Sequence, residues 1–264
     1  HRDLHSFPTR RSSDLIEGTL DYNSDMTELI YQTDSYLKEF SAVVVSTDPQ
    51  NRAVILDRSA FYPGGGGQPC DFGTLEADGI RYPVEKVKKQ GDDVLHFLAG
   101  TELLPAPGSA SLGTLDWVRR YQLMRTHTAL HILCGTVFRD YGAKVTGGDM
   151  DPLKGRMDFE FESMRGELVR EIETAVNAEV GKNRAIQVNI LPREEAFQIP
   201  DLIRTKINLL PEGILQVRTV EIVGLDLQAD GGTHVANTSE VGVIKVTDYK
   251  SKGAINKRIY IEVQ

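Results

Sequence analysis

The chain has 264 residues, a formal net charge of −8 and a hydrophobic content of 40%. These values are typical of one large or two small packed domains, and they exclude a wholly disordered or fibrous protein. No run approaches the roughly 18 consecutive apolar residues of a membrane span, so no membrane partner is expected. The acidic charge disfavours binding nucleic acid over the whole surface but permits a local basic patch. Cys70 and Cys134 are too few for a disulfide framework and indicate a cytoplasmic protein.

Residues 1–25 form a polar lead that lacks the apolar centre of a secretory signal. Within this lead, SFPTRRSSDL at 6–15 resembles the translation of a short-read sequencing adapter. We therefore interpret 1–25 as an assembly artefact followed by untranslated sequence, and we expect the natural start at Met26. A natural disordered tail is the alternative.

Short β-like runs separated by turn residues extend from Leu29 to Pro107. The predicted strands lie at 42–46, 53–57, 73–79, 82–89 and 94–100. Strands this short and evenly spaced predict a small β-barrel domain at 26–108. The Pro-, Gly- and Ser-rich stretch LPAPGSASLG at 104–113 is predicted to be a linker.

Helices and strands are mixed without regular alternation in the second predicted domain, 113–264. Apolar residues at helical spacing predict a helix from Asp116 to Tyr141 that ends at Gly142. Further helices are predicted at 167–182 and 193–197, among strands at 157–162, 185–191, 215–223, 241–249 and 258–263. This mixture predicts an α+β fold rather than a doubly wound sheet.

Two histidines in HTALH are the first candidates for chemistry. His127 and His131 project from one face of the predicted helix, at a separation that one metal ion can bridge. Alone, this spacing is more often structural than metal-binding. Thr128 follows the first histidine, where a zinc metalloprotease needs Glu, so protease chemistry is disfavoured.

The segment LDLQADGGTHV at 225–235 adds Asp230 and His234, whose side chains are both competent zinc ligands. Gly231 and Gly232 are expected to supply backbone conformations that turn the two side chains toward one point. Together with the HTALH pair they form a candidate tetrahedral site. An ordinary turn with an Asx-type hydrogen bond is the alternative.

These motifs resemble the free-standing alanyl-tRNA editing proteins, the AlaX family, which is related to the editing domain of alanyl-tRNA synthetase. HTALH, GGTHV about a hundred residues later and YPGGGGQP at 62–69 ahead of both carry the resemblance, which covers nearly all of 29–264. It implies a barrel followed by an editing domain of the threonyl/alanyl-tRNA synthetase type. It also implies zinc-dependent hydrolysis of the ester of mischarged tRNA(Ala), mainly seryl and in some members glycyl. The implied partner is the tRNA(Ala) acceptor end, no ATP use is expected, and the oligomeric state is open.

One position departs from the family pattern, which usually has Cys where this chain has Asp230. An oxygen ligand keeps zinc feasible but weakens its hold and admits other divalent ions. Cys134 lies three residues after His131. We interpret it as a packed apolar thiol, with a substitute ligand as the alternative.

Further candidate residues surround these motifs. Three residues lie beside the candidate ligands in the sequence, namely Asp226, Gln228 and Thr233. They are expected to form hydrogen bonds with the ligands, and Gln228 and Thr233 are catalytic candidates. Ordinary turn residues are the alternative. The resemblance makes Thr146 of AKVTGG the residue that distinguishes a seryl from an alanyl ester. An alanyl ester would leave such a polar partner unpaired, at a cost of about 1–3 kcal/mol. A strand or turn role is the alternative for Thr146. The resemblance also places part of the glycine loop at the substrate pocket, namely Gly65, Gly66, Gly67 and Gln68, with a barrel turn as the alternative.

Two basic clusters are candidate contacts for tRNA phosphates. One consists of Arg119, Arg120 and Arg125 ahead of HTALH. The other lies at 245–258, which includes Lys250 and Lys252 and holds five basic residues against one acidic residue. A solvated charged face is the alternative for each cluster.

The sequence therefore favours a trans-editing hydrolase that deacylates Ser-tRNA(Ala). Three alternatives stay open: a metal-dependent hydrolase of another small ester or amide, a tRNA-binding module that lost activity with the Cys to Asp change, and the editing fragment of a longer synthetase. It is also open whether the metal activates water or positions the substrate.

Overall fold

The computed structural model describes residues 26–203 and 213–264. Residues 1–25, interpreted above as an artefact, lie outside the described residues. Among the residues described, none of the helices combines the length and apolar character that a bilayer crossing requires.

A closed six-stranded barrel forms between residues 39 and 115. The strands of this part of the chain are β1 (Glu28–Leu29), β2 (Glu39–Asp48), β3 (Ala53–Leu56), β4 (Arg58–Ser59), β5 (Gly73–Ala77), β6 (Ile80–Gln90), β7 (Asp93–Leu98) and β8 (Ala110–Leu115). The barrel order is β2-β3-β7-β6-β5-β8, and β1 pairs with β4 beside it. Because successive side chains of a strand point to opposite faces, β2 buries Phe40, Ala42 and Val44 and exposes the residues between them. The five predicted strands coincide with β2, β3, β5, β6 and β7.

The linker predicted at 104–113 is wrong in its second half, because β8 closes the barrel between β2 and β5. The glycine of this strand, Gly113, is required by packing. A Cβ atom on Gly113 would lie 2.5 Å from the ring of Phe40, which fills the space beside it. The barrel therefore continues past the boundary predicted at residue 108.

The central helix, α1 (Trp117–Tyr141), begins and ends where local signals predict. The carboxylate of Asp116 accepts a hydrogen bond from a backbone N–H of the first turn, and Gly142 ends the helix with a left-handed φ of 65°. Between Leu123 and Val137, every residue except Arg125 is buried. A helix buried on all its faces is a core helix, which explains why its pattern is not amphipathic.

Two antiparallel sheets pack against α1, one in the order β14-β15-β10-β9 and the other in the order β11-β12-β13. The remaining elements are β9 (Val145–Asp151), β10 (Lys154–Glu160), α2 (Gly166–Val180), β11 (Ile186–Pro192), α3 (Arg193–Ala196), β12 (Gln216–Ile222), β13 (Asp226–Ala229), β14 (Ile244–Ser251) and β15 (Asn256–Val263). The α+β prediction is confirmed. Strands β9 and β13 escaped prediction because VTGGDMD and DLQA are short, polar or glycine-rich and lack apolar alternation.

A buried ion pair fastens the barrel to α1. The guanidinium of Arg120, which is fully buried, donates from Nε to Oδ1 of Asp71 at 3.0 Å and forms a salt bridge with the same carboxylate. It also donates to the carbonyl oxygens of Ser35 and Ala60. The loop that carries the glycine run is thereby held against the helix that carries HTALH.

Candidate metal centre

Three histidines and one aspartate converge from two distant parts of the chain. His127 and His131 lie on α1, and Asp230 and His234 lie in the loop after β13. One ligand atom from each side chain lies within 4.8 Å of the others. Tetrahedral zinc, with Zn–N distances of about 2.0–2.1 Å, would bring the ligand nitrogens to about 3.4 Å from one another.

Each imidazole has its Nδ1 engaged by a polar side chain, which leaves Nε2 for the shared centre. The partners are Oε1 of Gln68 at 2.9 Å from His127, Oδ2 of Asp226 at 3.0 Å from His131 and Oγ1 of Thr128 at 3.1 Å from His234. Metal-binding histidines are characteristically oriented in this way by a partner on the second nitrogen.

For three of the four side chains, all except His131, the direction of the pKa shift favours the form that binds a divalent cation. Burial lowers the pKa of His127 well below its usual range and that of His234 to about 4, which favours the neutral form of both rings. Burial opposes the charged form of His131, but the hydrogen bond and charge of Asp226 outweigh it and raise its pKa. Burial also opposes the carboxylate of Asp230, yet the neighbouring His127 and His234 lower its pKa well below the usual range. Neutral imidazoles and a carboxylate are the forms that bind a metal.

The two carboxylate oxygens of Asp230 have different surroundings. Oδ2 accepts a hydrogen bond from the N–H of Gly232 at 2.8 Å and lies 3.0 Å from Nε2 of His234. Oδ1 lies 3.6 Å from Nε2 of His127. The loop therefore holds Oδ2 through the N–H of Gly232, and each oxygen lies near a different histidine.

Gly232 leaves room for this arrangement, for a reason that differs from the prediction. Asp230 and His234 do converge, but neither Gly231 nor Gly232 has a positive φ, so left-handed backbone conformations at the two glycines are not the cause. A Cβ atom on Gly232 would overlap the imidazole of His127 and lie 2.6 Å from Oε1 of Gln68. The position requires glycine because two elements approach each other closely there.

The glycine loop carries Gln68 into the centre. Its four glycines have positive φ, from 58° at Gly66 to 140° at Gly65, a region that L side chains rarely adopt. Gln68 is buried, donates from Nε2 to Oγ1 of Thr233 at 2.9 Å and accepts the N–H of the same residue at 3.0 Å. Gln68 thus aligns His127 and Thr233 together.

The other residues predicted at the substrate pocket lie around this amide. Gly65 and Gly66 are exposed at the tip of the loop. A Cβ atom on Gly67 would lie 3.0 Å from the carbonyl oxygen of Gly148, so the loop packs closely on β9.

The remaining predicted residues lie at different distances from the ligands. Gln228 donates from Nε2 to Oδ2 of Asp226 at 2.6 Å and so lies behind His131. The hydroxyl of Thr146 is exposed on β9 and donates to Oδ1 of Asn256 at 2.7 Å, rather than contacting a ligand. Cys134 is buried in the core and does not belong to the four-residue group, as expected of a packed thiol.

The arginine cluster predicted to contact tRNA binds the protein itself. Its guanidiniums donate to oxygens of this chain: Arg119 to the carbonyl of Cys70, Arg120 to Asp71, and Arg125 to the carbonyls of Val241 and Gln264. The phosphate contact predicted for Arg120 is wrong, because its side chain is fully buried. Lys250 and Lys252 are exposed on the hairpin of β14 and β15, where Lys250 pairs with Asp248 at 3.0 Å.

Comparisons with known proteins show the family of this chain. The family described as threonyl and alanyl tRNA synthetase second additional domain matches residues 217–260, which include Asp230 and His234. The family described as tRNA synthetases class II (A) matches residues 9–119. The alanyl-tRNA editing protein AlaX-M of Methanosarcina acetivorans is 37% identical over 246 residues, which cover 89% of this chain and 98% of that protein. The chain belongs to the alanyl-tRNA editing family, AlaX.

Two further relatives of this AlaX chain differ in how much of their own length it covers. The AlaX-M protein of Saccharolobus solfataricus is 40% identical over 241 residues, covering 90% of this chain and all of that protein. The alanine–tRNA ligase of Ignicoccus hospitalis is 37% identical over 226 residues, which are 83% of this chain but only 24% of the ligase. The resemblance inferred from HTALH, GGTHV and the glycine loop is confirmed.

Two residues of the AlaX centre were missed by the sequence analysis. Thr128 was considered only as the residue that excludes a protease motif, and Arg218 was not considered at all. Thr128 lies three residues before His131 and therefore on the same helical turn. This spacing could have predicted that its hydroxyl lies near the candidate metal centre. Arg218 lies in β12 and contacts Asp230 only because β12 and β13 pair.

Proposed function

We propose that this AlaX protein hydrolyses the ester of mischarged Ser-tRNA(Ala), with the glycyl ester as a second substrate, after the tRNA has been charged elsewhere. The observation that carries the proposal is the group of three histidines and one aspartate, in which every Nδ1 is held and every Nε2 is left for a metal. Homology to alanyl-tRNA editing proteins over most of the chain supports the choice of substrate. In this proposal the barrel is a domain ahead of the editing domain.

The donor set fits one zinc ion, held by His127, His131, Asp230 and His234. When bound, such an ion supplies Lewis-acid chemistry for ester hydrolysis. Among the four side chains Asp230 is the most exposed, at 13%, so substrate and water reach the centre from its side. Because an oxygen replaces the usual thiolate, other divalent ions are expected to bind as well.

The residues around the ligands orient the reaction. Gln68 fixes the ring of His127 and the hydroxyl of Thr233, and Gln228 supports His131 through Asp226. Thr146 donates its hydroxyl proton to Asn256 and retains oxygen lone pairs that can accept a hydrogen bond from the seryl hydroxyl. An alanyl ester lacks that donor, which disfavours its hydrolysis.

Contact with tRNA is confined to the acceptor end in this proposal. The net charge of −8 disfavours wrapping of the whole molecule. The exposed Lys250 and Lys252 are the phosphate contacts that the fold leaves available from the predicted set, with Arg119 and Arg125 only half-buried. ATP use forms no part of the proposal.

The test is a deacylation assay of Ser-, Gly- and Ala-tRNA(Ala) with the purified protein, together with measurement of its metal content. We expect the seryl ester to be hydrolysed, the alanyl ester to be spared, and His131→Ala to reduce the rate by about 100-fold or more. His96→Asn, at a buried histidine in the barrel, is the matched control and should retain activity.

Two results would contradict parts of this proposal. Undiminished hydrolysis by metal-free protein would remove the metal from the mechanism. An absence of seryl hydrolysis with retained tRNA binding would favour the binding-module alternative.

A further inference from the structure

Arg218 binds both main-chain polar groups of Asp230. The carbonyl oxygen of Arg218 accepts the N–H of Asp230 at 3.1 Å, and Nη1 of Arg218 donates to the carbonyl oxygen of Asp230 at 2.9 Å. The same Nη1 lies 3.8 Å from Oδ2 of the Asp230 carboxylate. One residue therefore holds the backbone of this ligand and places a positive charge beside its side chain.

The guanidinium is fixed on its other side as well. Nε of Arg218 donates to the carbonyl oxygen of Gln32 at 2.8 Å, in the segment that leads into the barrel. The side chain is only 5% exposed. Asp230 is thus tied through Arg218 to a part of the chain that carries none of the four ligands.

Stability alone does not explain this arrangement. Nη2 of Arg218 is buried and has no hydrogen-bond partner among the residues that the structure describes. Leaving a buried donor without a partner typically costs about 1–3 kcal/mol. A buried donor without a partner in a native protein requires an explanation. For Arg218 the explanation that we consider is its contact with Asp230 through Nη1.

A carboxylate needs such a contact more than a thiolate does. A cysteine presents one donor atom, whereas an aspartate presents two oxygens and can rotate between them. Here Oδ2 accepts the N–H of Gly232, lies 3.8 Å from Nη1 of Arg218 and lies 3.0 Å from Nε2 of His234, while Oδ1 lies 3.6 Å from Nε2 of His127. Oδ2 is therefore the more engaged oxygen, and Oδ1 is the one that a metal could take without breaking the contacts to Gly232 and Arg218.

We propose that Arg218 is a positioning residue that fixes Asp230 as a one-oxygen metal ligand. The inference rests on the metal site of the proposed function. Because Arg218 is proposed to fix the geometry of a ligand, the quantity to measure is the retention of a metal ion and not the rate of deacylation.

The experiment is a double-mutant cycle between positions 218 and 230. Arg218→Gln and Arg218→Lys are each prepared with Asp230 and with Asp230→Cys, and the proteins are loaded with Co²⁺. The visible absorption of the bound Co²⁺ is followed after excess chelator is added, which gives the rate of Co²⁺ loss. The midpoint of thermal unfolding is measured for each metal-free protein. Arg184→Gln is the matched control, because Arg184 also contacts a carboxylate, that of Glu179, and a main-chain carbonyl, that of Val223.

We expect Arg218→Gln to accelerate Co²⁺ loss about 10- to 100-fold with Asp230 and less than about 3-fold with Asp230→Cys. Arg218→Lys keeps the charge but loses the fork geometry, so it should give a smaller acceleration, again only with Asp230. Arg184→Gln should leave the rate within about 3-fold of the parent. If Arg218→Gln fails to fold, Arg218→Lys carries the comparison.

The proposal would be overturned if Arg218→Gln accelerated Co²⁺ loss equally in the Asp230 and the Asp230→Cys proteins. It would also be overturned if Arg184→Gln accelerated Co²⁺ loss as much as Arg218→Gln does while lowering the thermal midpoint by the same amount. A parent protein that takes up no Co²⁺ would overturn it too. By contrast, a protein that shows the expected Co²⁺ rates but does not hydrolyse Ser-tRNA(Ala) would contradict the proposed function and leave the role of Arg218 intact.

Discussion

At the scale of single residues, the centre depends on contacts too close to accept any added atom. Gly232 separates the ligand loop from the imidazole of His127 and from the amide of Gln68, and a Cβ atom there would overlap the ring. Its neighbour Gly231 has no atom within 4 Å of such a Cβ. Two adjacent glycines in one motif therefore differ completely in their tolerance of a methyl group.

Gly232→Ala is expected to displace His127 or the loop and to lower both metal retention and deacylation, the latter by about 100-fold or more. Gly231→Ala, the matched control, should behave as the parent because its φ is compatible with alanine and its surroundings are open. Metal content per chain and the rate of seryl-ester hydrolysis measure both effects. Similar behaviour of the two variants would show that the close approach at Gly232 has no consequence.

At the scale of elements, a buried carboxylate ties α2 to α1 and to the turn that follows α2. Glu179, whose side chain is 1% exposed, accepts hydrogen bonds from Lys182, Arg139 and Arg184. Burial by itself would raise the pKa of Glu179, but these three cations outweigh it and lower the pKa from 4.5 to about 2. The carboxylate is therefore a better base in the unfolded chain than in the folded protein.

Because the folded pKa lies below the unfolded one, this network contributes stability that is complete above pH 4.5 and is lost as pH falls toward 2. The contribution at neutral pH is about 3 kcal/mol. Glu179→Gln should remove it and flatten the dependence of unfolding free energy on pH in this range, as measured by urea denaturation at a series of pH values. Glu171→Gln, at an exposed position of α2, should keep the slope of the parent; a parent-like slope in Glu179→Gln would contradict the assignment.

At the scale of the whole molecule, the barrel and the ligand-bearing helix are joined by the ion pair of Asp71 and Arg120. Asp71 also accepts the N–H of Tyr62 at 2.7 Å, which fixes the start of the glycine loop. The loop in turn supplies Gln68 to the centre. The barrel thus contributes a residue to the candidate site and does more than support it.

Asp71→Asn is expected to lower the free energy of unfolding by about 3–5 kcal/mol, because it leaves the buried guanidinium of Arg120 without its carboxylate. It should also speed metal loss, since the loop that carries Gln68 is no longer held. Glu262→Gln, which breaks an exposed pair with Lys154, should cost no more than about 1 kcal/mol. Urea denaturation and metal release measure the two effects, and a loss in Asp71→Asn no larger than that in Glu262→Gln would contradict the role of the ion pair.

The sequence by itself determined the features that depend on neighbouring residues. The helix predicted from Asp116 is observed as Trp117–Tyr141, because its cap and its terminal glycine act within one turn of its ends. Helical spacing alone places His127 and His131 of HTALH on one face of the helix. The barrel strands with apolar alternation were found in the same way, whereas β8 was taken for a linker because of its small residues, of which Gly113 is required by the ring of Phe40 on another strand.

Only the tertiary structure decided which residues surround the ligands. Gln68 and Thr233 are 165 residues apart, and Thr128 and His234 are 106 apart. Contacts at such separations leave no periodicity or spacing in the sequence, since they exist only after the barrel, α1 and the β12–β13 pair have packed together. For the same reason the sequence could propose Arg120 as a surface cation and could not foresee Arg218 beside Asp230.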